Sequence, residues 1–83
     1  MKLLYFAWLR EKIGLSEEDV TLPADLLSVA DLVGWLSGRG PGYQAAFAQT
    51  KLVRCAIDQD FAQNNASIVG AKEIAFFPPV TGG

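Results

Sequence analysis

The sequence has no histidine and only one cysteine, Cys55, among its 83 residues. Without histidine there is no imidazole general base, no histidine-based metal site and no Ser-His or Cys-His nucleophile pair. A single cysteine cannot form a disulfide within the chain, so the disulfide framework typical of a small secreted domain is excluded. The function must therefore use a chemical group other than the side chains on which most catalysis relies.

Basic residues are few and dispersed. Seven lysines and arginines stand against nine aspartates and glutamates, which gives a net charge of −2. No basic stripe is available to neutralise phosphates, so nucleic-acid binding is not expected. The apolar run at 3–9 is broken by Arg10 and lacks a small-residue cleavage site, which favours a buried strand over a signal peptide. No segment approaches the roughly 20 apolar residues of a membrane span, and a cytoplasmic protein without membrane contact is predicted.

The sequence does contain a regular succession of strands and helices. With 51% apolar and 19% charged residues, the composition is that of a folded chain, long enough for one domain. Alternation and turn signals predict strands at 2–6, 18–22, 52–57, 61–62 and 73–77, and short helices at 7–13 and 43–49. An apolar stripe at helical spacing predicts the main helix over 25–37, with either Ser28 or Asp25 as its N-cap.

This order of elements predicts an α+β fold. One main helix has to cover one face of a mixed sheet, and the first and last strands could pair in the sheet centre. That arrangement is the β-grasp, or ubiquitin-like, roll. The predicted domain spans 1–77, and 78–83 form an extended tail. Gly34 is expected to permit close packing of the helix on the sheet, and 38–42 are expected to form a mobile loop.

The C-terminal tail is the most informative segment. Pro78 and Pro79 fix φ and favour an extended chain that leaves the sheet. The last four residues then reach about 13 Å. A Gly-Gly end can pass through a channel that any Cβ would block, so the reactive group is predicted to be the terminal carboxylate of Gly83.

A carboxylate becomes reactive when a partner converts it to an acyl-adenylate. A sulfur nucleophile can then displace AMP and leave a thiocarboxylate, whereas an amine would give an amide. About one chain in 200 ends in Gly-Gly by chance. The alternative is therefore an interaction module whose C-terminal tail has no functional role.

The last nine residues, AFFPPVTGG, closely resemble the C-terminus of the small, sulfur-carrier subunits of molybdopterin synthase, the MoaD family. The segment LYFA at 4–7, the following residues to Gly14, and Ala56-Ile57 also fit that family, as does the length. Two turn positions depart from its pattern. Ala71-Lys72-Glu73 stands where the family usually has Gly-Asp-Glu, and Asp58 where it often has Asn.

The resemblance implies a β-grasp fold and a sulfur-donating subunit that is not itself catalytic. An E1-like (MoeB-like) enzyme would adenylate Gly83 with ATP, and a sulfurtransferase would supply the sulfur; no cofactor or metal would be bound permanently. The tail would enter the large (MoaE-like) subunit of a heterotetramer, where sulfurs from two carriers would convert cyclic pyranopterin monophosphate to molybdopterin. The residues implied to bind the partner are Phe76, Phe77, Pro78, Pro79, Val80, Thr81 and Gly82.

Three points stay open at the level of sequence. Of Phe76 and Phe77, one is expected in a docking surface and one in the core, without a decision as to which. A carrier for thiamine or another sulfur pathway, or a ubiquitin-like protein modifier, is the functional alternative, because these proteins also end in Gly-Gly. Cys55 is predicted to be a small buried apolar residue, with a transient sulfur relay as the alternative.

Overall fold

The first and last strands form the centre of a mixed sheet. The computed structural model describes residues 1–79, and within them five strands have the order β2-β1-β5-β3-β4. Their bounds are β1 Lys2–Tyr5, β2 Glu17–Asp19, β3 Arg54–Ile57, β4 Asp60–Ala62 and β5 Glu73–Phe77. β1 and β5 are parallel, and the other neighbouring pairs are antiparallel. The predicted α+β, β-grasp architecture is confirmed.

The helices lie between β1 and β2 and between β2 and β3. Their bounds are α1 Ala7–Ile13, α2 Val29–Ser37 and α3 Pro41–Ala46, followed by a 3-10 turn at Thr50–Leu52. The predicted end of α1 is confirmed. Gly14 adopts a left-handed conformation with φ of 89°, and its N–H donates to the Arg10 carbonyl at 2.8 Å.

The structure decides between the two predicted N-caps of the main helix α2 and confirms the capping box. Its N-cap is Ser28, whose hydroxyl accepts a hydrogen bond from the Asp31 N–H at 3.2 Å. In return, the Asp31 carboxylate accepts from the N–H groups of Ser28 and Leu27 at 3.1 and 3.0 Å. This reciprocal capping starts the helix at Val29, so the predicted start at 25, with Asp25 as N-cap, is wrong.

Other predicted boundaries also shift by a few residues. The second strand ends at Asp19, not at 22, and the third begins at Arg54 because the 3-10 turn takes up the preceding residues. The third helix starts at Pro41, since proline suits the first turn of a helix, and it ends at Ala46. The expectation for Gly34 is wrong: it is exposed, and a Cβ there would meet nothing within 4 Å.

The core lies between one face of the sheet and the helices. Alternate residues of the two central strands point into it, and each helix contributes buried apolar residues. The largest fully buried side chains are Tyr5, Phe76, Leu3, Leu9, Leu32, Leu36, Ile74 and Val29. Within residues 1–79 the core covers only this face, and no element packs over the side chains on the other face of the sheet.

Candidate functional site

The C-terminal end of β5 is held on both sides by neighbouring strands. The Phe6 N–H donates to the Phe76 carbonyl at 3.1 Å, which continues the parallel pairing with β1. On the other side, Phe77 is the register partner of Arg54 on β3. A strand between two neighbours gives a firm base to the chain that follows it.

Phe76 belongs to the core. It is 0% exposed, its ring stacks on that of Tyr5 with centroids 6.2 Å apart, and it meets the Phe47 ring edge-on at 5.1 Å. A side chain buried in this way cannot touch a partner, so the assignment of Phe76 as a partner-binding residue is wrong. The structure thereby decides the question left open by the sequence, since Phe77 is the half-buried member of the pair.

The predicted extended tail starts directly after Phe77. Pro78 and Pro79 are both half-buried and stand outside the strand, as expected for residues that cannot donate a ladder hydrogen bond. Predictions for Val80, Thr81, Gly82 and Gly83 lie outside the described residues. The described part of the tail thus leaves from the middle of the sheet, at the end of a strand paired on both sides.

Apolar side chains lie next to this point on the face of the sheet that carries no helices. The register places Leu4, Ala75 and Ala56 side by side on β1, β5 and β3. Phe61 is the register partner of Ala56 on β4; it is 84% exposed, and its ring centroid lies 5.8 Å from that of Phe77. None of these side chains packs against the core.

Phe6 extends this surface toward α1. It follows β1 with extended backbone angles, φ −120° and ψ 156°, so alternation places its ring on the same face as Leu4, and it is 47% exposed. We call the whole set the open-face patch: Leu4, Phe6, Ala56, Phe61, Ala75 and Phe77. Contiguous exposed apolar surface of this kind is typical of a protein interaction site.

A cluster of polar side chains lies on the helix-covered side of the sheet and contacts the central strand β1. The Glu18 carboxylate accepts hydrogen bonds from the hydroxyls of Tyr5 at 2.8 Å and Tyr43 at 2.6 Å, and from Arg39 Nη1 at 3.1 Å. Burial alone would raise the pKa of Glu18, but these three donors outweigh it and lower that pKa below its ordinary value. Burial and the bond to Glu18 raise the pKa of Tyr5, which keeps the hydroxyl protonated as a donor.

The same cluster corrects the expected mobile loop at 38–42. The guanidinium of Arg39 lies 5.1 Å from the ring centroid of Trp35 and 5.0 Å from that of Tyr43, in addition to its ion pair with Glu18. Pro41 and the residue after it already belong to α3. Three partners therefore hold the Arg39 side chain, and the last two residues of the predicted loop are helical.

The hairpin between β3 and β4 brings together the two positions that depart from the family pattern. Asp58 Oδ1 accepts the N–H groups of Lys72 and Glu73 at 3.0 and 2.9 Å. Asp58 and Gln59 both have left-handed backbone angles, with φ of 48° and 74°. Two successive residues with positive φ form a primed hairpin turn, which agrees with the predicted turn role of Asp58. The carboxylate therefore secures the start of β5.

Cys55 does not have the environment of a reactive thiol. It is 4% exposed, its Sγ donates to the Ala62 carbonyl at 3.4 Å, and burial raises its pKa. A raised pKa leaves little thiolate at neutral pH, which is the form that attacks or carries sulfur. The predicted role as a small buried residue agrees with these contacts.

Metal-binding clusters and membrane-spanning helices are both absent from residues 1–79. No group of three or more cysteine, aspartate or glutamate side chains there is arranged to hold a metal ion. In the same part of the chain no helix is both long and apolar enough to cross a membrane.

The sheet order, the parallel central pair and the helices on one face define a β-grasp, ubiquitin-like protein. Two solved structures share this fold. One is SAMP1 from Haloferax volcanii, with a TM-score of 0.70 and 23% identity, where the match covers 99% of this chain and 97% of the other. The other is a putative molybdopterin converting factor, subunit 1, from Pyrococcus furiosus, with a TM-score of 0.72, 24% identity and 95% coverage of both chains.

Within this class the family is also defined. Residues 3–83 match the ThiS family, and the chain belongs to that family. It is 32% identical over 83 residues to the molybdopterin synthase sulfur carrier subunit of Escherichia coli, with 100% of this chain and 99% of the relative covered. The subunit of the same name from Haemophilus influenzae is 34% identical with the same coverage, and that from Mycosarcoma maydis is 30% identical over 89 residues, with 100% and 92% covered.

Sequence reasoning found the end of β5 but missed most of the open-face patch. Phe61 was assigned to a brief strand, and Leu4, Phe6, Ala56 and Ala75 were assigned to elements without any role on the surface. The signal that could have found them is alternation, because each occupies the parity opposite to the buried residues of its strand. The strand pairing must also be known before these residues can be recognised as one surface. They come from three regions far apart in sequence: β1 with Phe6, the β3–β4 hairpin, and β5.

Proposed function

We propose that this protein is a sulfur carrier, the small subunit of a molybdopterin synthase, and that Gly83 carries the sulfur. The observation that carries the proposal is the full-length match to sulfur carrier subunits, which extends through the Gly-Gly end. It is supported by a firmly paired β5 that ends in Phe77-Pro78-Pro79 beside an exposed apolar patch. In this proposal the paired strand β5 holds the tail, the two prolines restrict the backbone at its start, and the C-terminus carries the reactive group.

The chemistry proceeds at the end of the main chain. A carboxylate oxygen of Gly83 attacks the α-phosphorus of ATP in an E1-like enzyme, and pyrophosphate leaves. The persulfide of a sulfurtransferase then attacks the carbonyl carbon of the acyl-adenylate, and the bond to the AMP oxygen breaks to leave an acyl disulfide. A thiol reductant cleaves the S–S bond of that acyl disulfide, is itself oxidised to a disulfide with the sulfurtransferase cysteine, and leaves a thiocarboxylate on Gly83. This group is a good sulfur nucleophile at neutral pH, as thiolates are. The chain needs no catalytic side chain for any of these steps.

The second half of the proposed cycle takes place in the large synthase subunit. The open-face patch docks on that subunit while the tail, through Pro79 and the four residues beyond it, reaches its active site. There the sulfur is donated to cyclic pyranopterin monophosphate. A second carrier molecule that bears a thiocarboxylate supplies the second sulfur of the dithiolene. Removal of apolar side chains from water provides the docking energy, at about 25 cal/mol per Å² of buried area.

The proposal is tested by deleting Gly83 in the native host. Because the last strand ends at Phe77, the shortened protein should keep its thermal stability, while the activity of molybdenum enzymes should fall to the level of a strain without the gene. The exposed-site variant Val69→Ser, at a side chain that is 71% exposed and outside the patch, is the matched control and should retain activity. Normal molybdenum-enzyme activity in the deletion strain would contradict the proposal.

A further inference from the structure

Charged side chains border the open-face patch unevenly, and the end at which β5 starts is negative. There the register sets one amine, that of Lys2, among three carboxylates of the same face: Glu17, Asp19 and Glu73. Lys2 is the register partner of both Asp19 and Glu73, and its Nζ lies 3.4 Å from Glu17 Oε2. The N-terminal ammonium group and Lys72 adjoin this end at positions of the opposite parity, so on the open face itself one amine stands against three carboxylates and the face is negative there.

The opposite end of the patch, where the chain leaves the sheet, is positive. Arg54 is exposed on this face as the register partner of Phe77, and its Nη1 donates to the Lys51 carbonyl at 2.7 Å. That hydrogen bond ties the guanidinium to the 3-10 turn before β3, while the register keeps Arg54 next to the last residue of β5. The two ends are about 13 Å apart along β5. This exceeds the screening length of about 8 Å at physiological salt, so a partner group senses mainly the nearer end.

An apolar patch alone does not set the direction in which a partner binds. Burial of apolar surface is non-directional, so a flat patch permits several rotations of the partner about the contact. The tail, in contrast, leaves the patch at one end only and must meet the partner's channel there. Complementary charges around an apolar centre are the usual means by which an interface fixes orientation and speeds association.

We propose that the charged ends of the open face orient the large synthase subunit on the patch. The subunit's surface then presents a carboxylate to Arg54, beside the mouth of its channel, and basic side chains to the end that carries Glu17, Asp19 and Glu73. This inference rests on the proposed function, since it takes the large subunit as the occupant of the patch. The charge asymmetry selects a partner of opposite asymmetry and disfavours docking with the tail turned away.

The test is a charge swap that leaves the net charge of the protein unchanged. The double variant Arg54→Glu with Glu73→Lys reverses the asymmetry of the open face. The double variant Lys12→Glu with Asp25→Lys makes the same exchange at two exposed positions outside it. Association and dissociation rates with the purified large subunit are measured by stopped flow at low and high salt. Circular dichroism and thermal unfolding verify that both variants are folded.

The face swap should slow association about tenfold at low salt and change dissociation little, because peripheral charges act mainly on the association rate. The difference should disappear near 1 M salt, where the screening length is about 3 Å. Equal rates for the two double variants would overturn the inference, and so would a wild-type protein that carries a terminal thiocarboxylate but does not bind the large subunit. The absence of any thiocarboxylate in protein from the native host would instead refute the proposed function.

Discussion

Two glycines in helices should respond in opposite ways to the same substitution by alanine. At Gly42, in α3, a Cβ would lie 2.4 Å from the Lys12 carbonyl oxygen and 3.5 Å from the Ile13 Cα, both backbone atoms of α1. At Gly34, in α2, a Cβ would meet no atom within 4 Å. The pair separates the steric effect of a methyl group from its effect on helix propensity.

The steric cost at Gly42 follows from the distances. Real Cβ atoms essentially never come closer than 3.0 Å to such a neighbour, so α1 and α3 would have to move apart at this contact. Both helices pack against the same core, and overpacking of this kind typically costs about 2 to 3 kcal/mol. In a domain of this size that loss lowers the melting temperature by about 10 to 20 °C.

The control variant should change the free energy of unfolding in the opposite direction. Gly34→Ala removes backbone freedom from the unfolded chain without a clash, and it should stabilise the protein by about 0.5 to 1 kcal/mol. Urea unfolding followed by circular dichroism measures both free energies. A Gly42→Ala protein as stable as the wild type would refute the described contact between α1 and α3, and a Gly34→Ala protein that is clearly less stable would contradict the open surroundings of Gly34.

Three further predictions concern the turn, the polar cluster and the patch. Gln59→Gly should raise the free energy of unfolding by about 1 kcal/mol, since glycine relieves the left-handed φ of 74°; an unchanged urea midpoint would contradict this. Glu18, with its lowered folded pKa, stabilises the protein at neutral pH, and this contribution is lost as the pH falls through that pKa; Glu18→Gln should therefore be less stable than the wild type at pH 7, with a smaller difference at acid pH in a pH series of urea unfolding. Phe61→Ser should weaken binding to the large subunit in calorimetry without loss of stability, whereas Val69→Ser should do neither; equal affinities for the two variants would argue against the patch.

The fold was largely predictable because its signals are local. The alternation in the first and last strands, the glycine at the end of α1 and the capping residues of α2 each depend on a few neighbouring residues. The start of α2 was placed too early because residues 25–28 are also compatible with a helix, and only the reciprocal bonds between Ser28 and Asp31 decide the boundary. The contacts of Arg39 with Trp35 and Tyr43 are local, four residues away on either side, and only its ion pair with Glu18 joins segments that are remote in sequence.

The site was predictable only in part for the same reason. The tail can be identified from its own residues, since two prolines and two glycines have backbone consequences wherever they stand. The assignment of Phe76 and Phe77 required the register of β5 against β1 and β3, because their parity in the strand decides which is buried. The open-face patch and its charged ends arise only when all five strands of the sheet are placed side by side.

The central claim is that Gly83 carries sulfur, and the mass of the intact protein tests it most directly. Protein purified from its native host under non-reducing conditions should contain a fraction heavier than the sequence mass by the difference between one sulfur and one oxygen atom. Fragmentation should place that difference at Gly83. A native protein found only with an unmodified C-terminus, or joined through it to lysines of other proteins, would contradict the account.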